Sequence, residues 1–147
     1  MSRLIWLTAT LIALAFAGAA RADEAVLGKW LTEAGSAQVE IKRCGDKLCG
    51  EVVWLKEPLA DDGQEKWDAY NPDPTLRSRK ILGLSMLSGF VKSAGAAERW
   101  EDGTIYNPED GKTYKCTLTL ENPNTLKVRG YVGIPLLGKT QIWNRVQ

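Results

Sequence analysis

The stretch GTIYNPEDGKTYKC, residues 103–116, places an acidic turn between two segments of alternating side chains. Pro108 has no N–H to give to a strand ladder, and Asp110-Gly111 is a favoured tight-turn pair. A calcium loop needs oxygen ligands at alternate positions over about a dozen residues, ending in a bidentate carboxylate. In this stretch the carboxylates are followed by Lys112, which supplies no oxygen ligand. The stretch therefore predicts a β-hairpin.

Alternation with a period of two, bounded by turn residues, continues in both directions from this hairpin. It predicts eight strands, at 26–32, 36–44, 48–56, 85–92, 98–106, 112–120, 125–132 and 138–146. The links between them are mostly short, which favours an antiparallel meander. A sheet of this size with one apolar side must cover that side and protect its edges, and closure does both. We therefore predict an all-β fold, an eight-stranded antiparallel up-and-down β-barrel.

The first twenty-two residues have the composition of a secretory signal peptide. Arg3 stands in a short positive head, an apolar run covers 4–16, and small residues follow up to Ala22. The apolar run is shorter than the roughly 20 residues that span a bilayer. We predict cleavage after Ala22 and a periplasmic or secreted protein without a transmembrane anchor. The remaining 23–147 suit a single domain that can bury a core.

Composition argues against several classes of function. Removing the predicted signal takes away two arginines, which lowers Lys plus Arg from 19 to 17 against 18 Asp plus Glu. The resulting formal charge of −1 gives no electrostatic reason to expect nucleic-acid binding. The chain contains no His, which excludes Ser-His-Asp and Cys-His nucleophilic sites and the common His-based zinc sites.

A pair of carboxylates could still act, as in glycoside hydrolysis. The candidates are Asp61, Asp62, Asp68 and Asp73, all within one long loop rich in Asp, Pro and Gly. Such loops are more often solvated than catalytic. We therefore predict a protein that is not an enzyme and that needs no metal and no cofactor.

The three cysteines divide by the face of the sheet that each occupies. An exported chain meets an oxidising compartment, where disulfides persist. Alternation places Cys44 and Cys49 on the outer face, on either side of a turn, whereas Cys116 is in step with the inward-facing Leu118. We predict a Cys44–Cys49 disulfide and a buried free thiol at Cys116. A redox-active pair is the alternative, but the spacing is not Cys-x-x-Cys.

The connection 57–81 is longer than most links between barrel strands, and it carries a polar cluster of Asn71, Asp73, Arg77 and Arg79. One interpretation is that an arginine at the barrel mouth binds a carboxylate or phosphate head group through paired hydrogen bonds. The other is that Arg77 pairs with Asp73 and fixes an Ω-loop.

Gly28-Lys29-Trp30 resembles the Gly-x-Trp signature of lipocalins and their calycin relatives. In that family the Trp closes one end of the barrel and an Arg from the last strand packs over it, a part for which Arg145 is placed. A guanidinium stacked on an indole gains cation–π energy. The alternative is a core Trp on an ordinary edge-paired strand. The resemblance implies barrel closure by Trp30 and Arg145.

A wider resemblance covers nearly the whole chain after the predicted signal. It is carried by GKW, CGDKLCGEVVWL, NPDPTLRSRKILGLSML, GTIYNPEDGKTYKC, LKVRGYVG and GKTQIW. Together these segments resemble the DUF2147 family of small exported bacterial proteins. The resemblance implies a lipocalin-like barrel, and it supplies neither an activity nor catalytic residues.

Two functions of different classes follow from a barrel of this kind. The first is binding of a small apolar or amphipathic molecule, with the polar cluster of the 57–81 loop at its head. The inward residues expected around the ligand are Phe90 and Leu118, with Val39, Ile41, Met86 and Val128. The second is a structural or interaction protein of the cell envelope whose barrel is filled by its own side chains. The apolar stretch GIPLLGK, 133–139, would cap a cavity or meet a membrane or partner.

Overall fold

The alternating segments form the predicted closed barrel. The computed structural model describes residues 24–96 and 98–147, so the predicted signal peptide and its cleavage after Ala22 lie outside the described residues. The strands are β1 (Gly28–Leu31), β2 (Ala37–Cys44), β3 (Lys47–Leu55), β4 (Ser85–Lys92), β5 (Arg99–Asn107), β6 (Lys112–Asn122), β7 (Thr125–Tyr131) and β8 (Lys139–Arg145). Each strand pairs antiparallel with the next, and β8 pairs with β1 to close the barrel.

Helical structure in the described ranges consists of three short 3-10 turns, Glu24–Val26, Pro74–Leu76 and Pro135–Leu137. Within those ranges, no helix has both the length and the apolar character needed to cross a membrane.

The 103–116 stretch forms the β5–β6 hairpin, and its acidic side chains stabilise the turn. The Lys112 N–H donates to Asp110 Oδ1 at 2.8 Å, and the Tyr114 hydroxyl donates to Asp110 Oδ2 at 2.6 Å. The Glu109 N–H donates to Asn107 Oδ1 at 3.0 Å. These are the local side-chain bonds by which Asp and Asn favour turns.

The main core occupies one half of the barrel, nearest the start of β1 and the end of β8, which we call the closed end. We call the opposite end, where β3 ends and β4 begins, the open end. The main buried cluster consists of Val26, Trp30, Val39, Ile41, Leu48, Leu87, Phe90, Trp100, Cys116, Leu118, Leu120, Leu126, Val128 and Trp143. A second, smaller buried cluster joins the connection after β3 to the barrel and consists of Val52, Ile81, Leu84 and Tyr106. The tryptophans and Phe90 of the main cluster supply enough volume to fill the closed half of an eight-stranded barrel.

Trp30 and Arg145 lie together at the closed end. The Arg145 guanidinium carbon is 4.3 Å from the centre of the Trp30 ring, within cation–π range. Trp30 is fully buried, and its indole N–H donates to the Val26 carbonyl at 2.9 Å. Arg145 also donates to the carbonyls of Leu27, at 2.8 Å, and Pro123, at 2.6 Å. Partial burial lowers the pKa of Arg145. This pair joins both ends of the described chain over the barrel floor.

The backbone conformation and the approach of Arg145 both favour a glycine at position 28, two residues before Trp30. The φ of Gly28 is 119°, a conformation that L side chains rarely adopt. A Cβ at this position would also lie 2.9 Å from Arg145 Nη1. The glycine therefore lets the arginine reach over Trp30.

The predicted disulfide is confirmed. Cys44 and Cys49 are bonded across the β2–β3 turn at the closed end, with their Cα atoms 5.8 Å apart. Cys116 is a free and fully buried cysteine, as predicted. Burial raises the pKa of its thiol to about 12, so the group stays protonated at neutral pH and reacts poorly.

Candidate ligand-binding cavity

The open half of the barrel holds a cavity of about 1050 Å³. Its inner wall comes from apolar side chains of several strands, and its mouth is surrounded by the connections that follow β1, β3, β5 and β7. The apolar lining residues include Ala37, Val52, Leu55, Ile81, Met86, Ile105 and Val128.

Side-chain size explains why this half is open. At the closed end the inward positions carry Trp30, Trp100 and Trp143, whereas Ala37 and Gly130 line the wall of the open half. A small barrel is filled only where its inward side chains are large enough to meet. The same alternation of strand residues thus produces a packed floor and an open cavity above it.

The mouth of the cavity carries both signs of charge together with aromatic rings. Its charged residues are Lys56, Glu57, Asp62, Glu65, Lys66, Glu109, Asp110 and Lys139, and its aromatic residues are Trp67, Tyr70, Tyr114 and Tyr131. Glu65 pairs with Lys80 at 2.5 Å. Trp67 and Tyr70 belong to the 57–81 loop and remain exposed. An amphipathic molecule would meet apolar surface below and polar groups above.

Asp68 anchors the 57–81 loop to the barrel. Its carboxylate is fully buried and accepts three hydrogen bonds. Tyr106 on β5 donates its hydroxyl at 2.5 Å. Asn71 Nδ2 and Arg79 Nε each donate to the other carboxylate oxygen at 2.8 Å. A buried carboxylate with this many donors is well compensated, so the contact holds the loop against the outside of the sheet.

The ionisation of this cluster follows from its contacts. Burial would raise the pKa of Asp68, but the hydrogen bonds from Tyr106, Asn71 and Arg79 outweigh it. The pKa of the carboxyl is therefore lowered, with the Arg79 charge adding to the effect. Burial, followed by the bond to Asp68, raises the pKa of Tyr106. The cluster is thus an ionised carboxylate held by a neutral phenol and a guanidinium.

The four polar residues predicted to bind a ligand serve the loop itself. Asn71 and Arg79 contact Asp68, while Arg77 Nε donates to the Asn71 carbonyl at 2.8 Å. Asp73 caps the Pro74–Leu76 turn, its Oδ1 accepting from the Thr75 N–H at 2.9 Å. The bond from the Thr75 hydroxyl, followed by the bond from the Thr75 N–H, lowers the pKa of Asp73. The arginines are placed to support the loop, as in the second of the two interpretations, although Arg77 reaches a carbonyl instead of Asp73.

The structure does not place these four residues on the wall of the large cavity. Asn71 and Arg79 line a separate pocket of about 290 Å³ between the loop and the outer faces of β4, β5 and β6. A role for Arg77 or Arg79 at a ligand head group in the barrel therefore has no support in their positions.

Phe90 and Leu118, predicted to surround the ligand, belong instead to the packed half. Phe90 is 1% exposed and Leu118 is fully buried. Val39 and Ile41 also lie in the core, whereas Met86 and Val128 do line the cavity. All six residues point inward, but four of them lie below the cavity.

Sequence reasoning missed Tyr106 and the role of Asp68. The two residues are 38 positions apart, and the contact depends on the path of the intervening loop. Their residue types offered only a weak signal, a carboxylate in a long loop and a tyrosine on a strand. Within residues 24–96 and 98–147, no group of three or more His, Cys, Asp and Glu is placed to hold a metal ion.

Comparisons with known proteins agree with this architecture. Among solved structures, protein HP1028 from the human pathogen Helicobacter pylori, described as belonging to the lipocalin family, is similar to this chain. The two are 27% identical, the match covers 82% of each chain, and the TM-score is 0.70. No curated protein matches the chain.

The sequence model of a bacterial family, described as an uncharacterized protein conserved in bacteria (DUF2147), matches residues 28–145. This range runs from the glycine that admits the closing arginine to that arginine itself, and it includes every strand of the barrel. The chain therefore belongs to the DUF2147 family, and its fold is a lipocalin-like barrel.

Proposed function

We propose that this protein is a non-catalytic binding protein, exported from the cytoplasm, that holds a small apolar or amphipathic molecule in the open half of its barrel. The cavity of about 1050 Å³ with its apolar inner wall carries the proposal. Small-molecule sites are concave, mostly apolar and about 300–1,000 Å³ in volume. The same cavity argues against a barrel filled throughout by its own side chains, since only the closed half is filled.

The distribution of polarity indicates how such a ligand would lie. Val52, Ile105 and Val128 offer an apolar surface to a chain or ring, and polar side chains are concentrated at the mouth. Because both lysines and carboxylates surround that mouth, it suits a neutral or zwitterionic polar head better than a strongly anionic one. The head would contact groups such as Lys66 and Gln141, which line the cavity, in place of Arg77 or Arg79.

Three further observations support the non-catalytic role and export. The chain has no His to act as a general base near neutral pH. The buried Asp68 carboxylate is fully engaged by its three donors. The Cys44–Cys49 disulfide is a type of bond that persists in oxidising compartments, as found outside the cytoplasm.

A cavity-filling variant tests the proposal. A Cβ added to Gly130 would meet Ile105 Cγ2 at 3.5 Å and Tyr114 Cβ at 3.7 Å, ordinary contact distances. Gly130→Phe should therefore place a ring inside the cavity without displacing the backbone. Thr119→Phe is the matched control, because Thr119 lies on β6 out of step with the inward Leu118 and Leu120.

Fatty acids, isoprenoids and apolar dyes would be titrated while intrinsic tryptophan fluorescence is followed, since Trp67 lines the cavity. We expect saturable binding by the parent chain and by Thr119→Phe, and a loss of about tenfold or more in affinity for Gly130→Phe. Arg77→Ala should bind like the parent. Absence of saturable binding, or binding that Gly130→Phe leaves intact, would contradict the proposal.

A further inference from the structure

The connection between β7 and β8 exposes an unusual number of aliphatic side chains. In the apolar turn, residues 132–137, Val132 is 69% exposed, Ile134 54%, Leu136 81% and Leu137 75%. A soluble protein surface normally scatters such residues singly. Four within six positions form a projecting apolar surface that nothing in the described chain covers.

Arg129 stabilises the conformation in which the side chains of the apolar turn are exposed. Arg129 Nε donates to the Pro135 carbonyl at 2.8 Å and Nη2 donates to the Leu136 carbonyl at 3.3 Å. Its Nη1 donates to Thr140 Oγ1 at 2.6 Å, across the base of the turn. Three bonds from a planar guanidinium to both sides of the turn restrict its backbone. In this conformation the side chains of Leu136 and Leu137 project into solvent.

The apolar turn is continuous with the cavity. Val132 and Leu137 both line the cavity wall and are exposed outside it. Ile134 and Leu136 extend the same surface away from the mouth and do not line the cavity. Whatever covers this turn must lie beside the entrance.

Positive charge flanks the base of the apolar turn. Lys115 on β6 pairs with Tyr131, and Lys139 on β8 pairs with Gly130, so the base of the apolar turn lies between two exposed lysines. Charges elsewhere around the mouth are mixed: the connection after β3 carries Glu57, Asp62 and Glu65 together with Lys56 and Lys66, and the β5–β6 turn carries Glu109 and Asp110. The two lysines thus give the base of the apolar turn a local positive charge.

We propose that the apolar turn inserts into the surface of an anionic phospholipid bilayer, with Lys115 and Lys139 facing the lipid phosphates and the cavity mouth beside the membrane. Aliphatic tips flanked by cations are the pattern of interfacial membrane anchors. A protein partner fits less well, because protein interfaces favour aromatic anchors over projecting aliphatic ones. A symmetric dimer would need roughly 20–30 residues a side, more than one turn supplies.

Membrane docking does not depend on the proposed ligand binding. Passage of a ligand between the bilayer and the cavity does rest on the proposed function. The chemistry of the path is favourable, since Leu137 and Val132 connect the inserted tips to the apolar wall. A lipid-derived amphiphile would leave the bilayer without crossing bulk water.

Vesicle flotation tests the proposal, with phosphatidylcholine vesicles compared with vesicles that also contain phosphatidylglycerol. The parent chain should float with the anionic vesicles and much less with the zwitterionic ones. Ile134→Ser combined with Leu136→Ser should lower the partition into anionic vesicles by about tenfold or more. Trp54→Ser, which removes another exposed apolar side chain on β3 across the barrel, should leave it unchanged.

A single labelled cysteine provides a second readout. Leu136→Cys would carry an environment-sensitive fluorophore, and Asp46→Cys in the β2–β3 turn at the opposite end is the matched site. The buried Cys116 and the Cys44–Cys49 disulfide leave the new thiol as the reactive one. Anionic vesicles should shift the emission of the first label to shorter wavelength and leave the second unchanged.

Several results would overturn the proposal. These are failure of the parent chain to float, flotation of the double variant at the parent's level, or equal flotation with both kinds of vesicle. A dimer that forms through the apolar turn in analytical ultracentrifugation would assign the turn to a second copy.

Titration of the double variant with soluble dyes in the absence of vesicles should match the parent. A defect there would indicate damage to the cavity and not to docking.

Discussion

The two ends of the barrel are built from the same strands, but one end is packed and the other holds a cavity. At the closed end Trp30, Trp100 and Trp143 are fully buried around a packed floor, and Arg145 joins the two ends of the sheet. At the open end smaller side chains leave a cavity, and the 57–81 loop is held from outside by polar contacts to Asp68. From this difference in packing we expect stability to be concentrated at the closed end, while the open end can hold a cavity.

The largest expected effect comes from removing the central side chain of the closed end. Trp30→Ala should lower the free energy of unfolding by about 3–5 kcal/mol, because it leaves a cavity where a large buried ring had been. Chemical denaturation followed by circular dichroism measures this change. Trp54→Ala is the control and should cost far less, since Trp54 is 40% exposed. Equal unfolding curves for Trp30→Ala and the parent would show that the closed end does not carry the stability.

A smaller effect is expected at the anchor of the loop. Asp68→Ala should cost about 2–3 kcal/mol, because it leaves the Tyr106 hydroxyl and the Asn71 amide without their partner. Hydrogen exchange should show faster exchange at Asn71 and Arg79 and little change in the closed end. Uniformly faster exchange throughout the barrel would contradict the separation of the two ends.

The same anchor predicts a dependence on pH with a definite sign. The pKa of Asp68 in the folded protein lies below its ordinary value of 3.8. The ionised Asp68 carboxylate therefore stabilises the loop fully at any pH above that ordinary pKa, and this stabilisation is lost as the pH falls through the folded pKa. Protection of the 57–81 loop should decline below about pH 4 in the parent chain. Asp68→Asn should remove that part of the decline, and an unchanged profile would assign the acid sensitivity to other carboxylates.

The smallest expected effect belongs to the disulfide. Cys44→Ser with Cys49→Ser should lower the free energy of unfolding by about 1–2 kcal/mol, since the bond closes only a short loop. Thermal unfolding should give a lower melting temperature with a cooperative transition retained. Peptide mapping without reduction should recover Cys44 linked to Cys49 from the parent. Recovery of Cys116 in a linked peptide would contradict the assignment of its buried thiol.

Sequence alternation was sufficient to predict the barrel and the position of its strands. β4 has the predicted bounds, and most of the other strands differ by one or two positions at an end. The first strand begins at Gly28 instead of 26, because Val26 belongs to a 3-10 turn whose carbonyl receives the Trp30 indole N–H. Turn chemistry and the period of two are local properties, so they can be recognised without a structure.

Depth within the barrel could not be predicted in the same way. Alternation predicts that Phe90 and Leu118 point inward, but it does not predict their positions along the barrel axis. Position along the axis decides whether an inward residue belongs to the core or to the cavity. The loop posed a related problem, since Arg79 could be assigned only once the partner of Asp68 was known. That partner, Tyr106, comes from a distant strand.

The seam between β1 and β8 has a consequence for the order of folding. Seven of the eight strand pairings join neighbours along the chain, whereas the eighth brings Trp30 opposite Arg145. The bond from Arg145 to the Leu27 carbonyl spans 118 positions. Local hairpins close with little loss of chain entropy, but this contact requires ordering of the intervening chain. Until β8 arrives, β1 and β7 are unprotected edges and Trp30 has no cover, so the period before ring closure is when the chain is most exposed to aggregation.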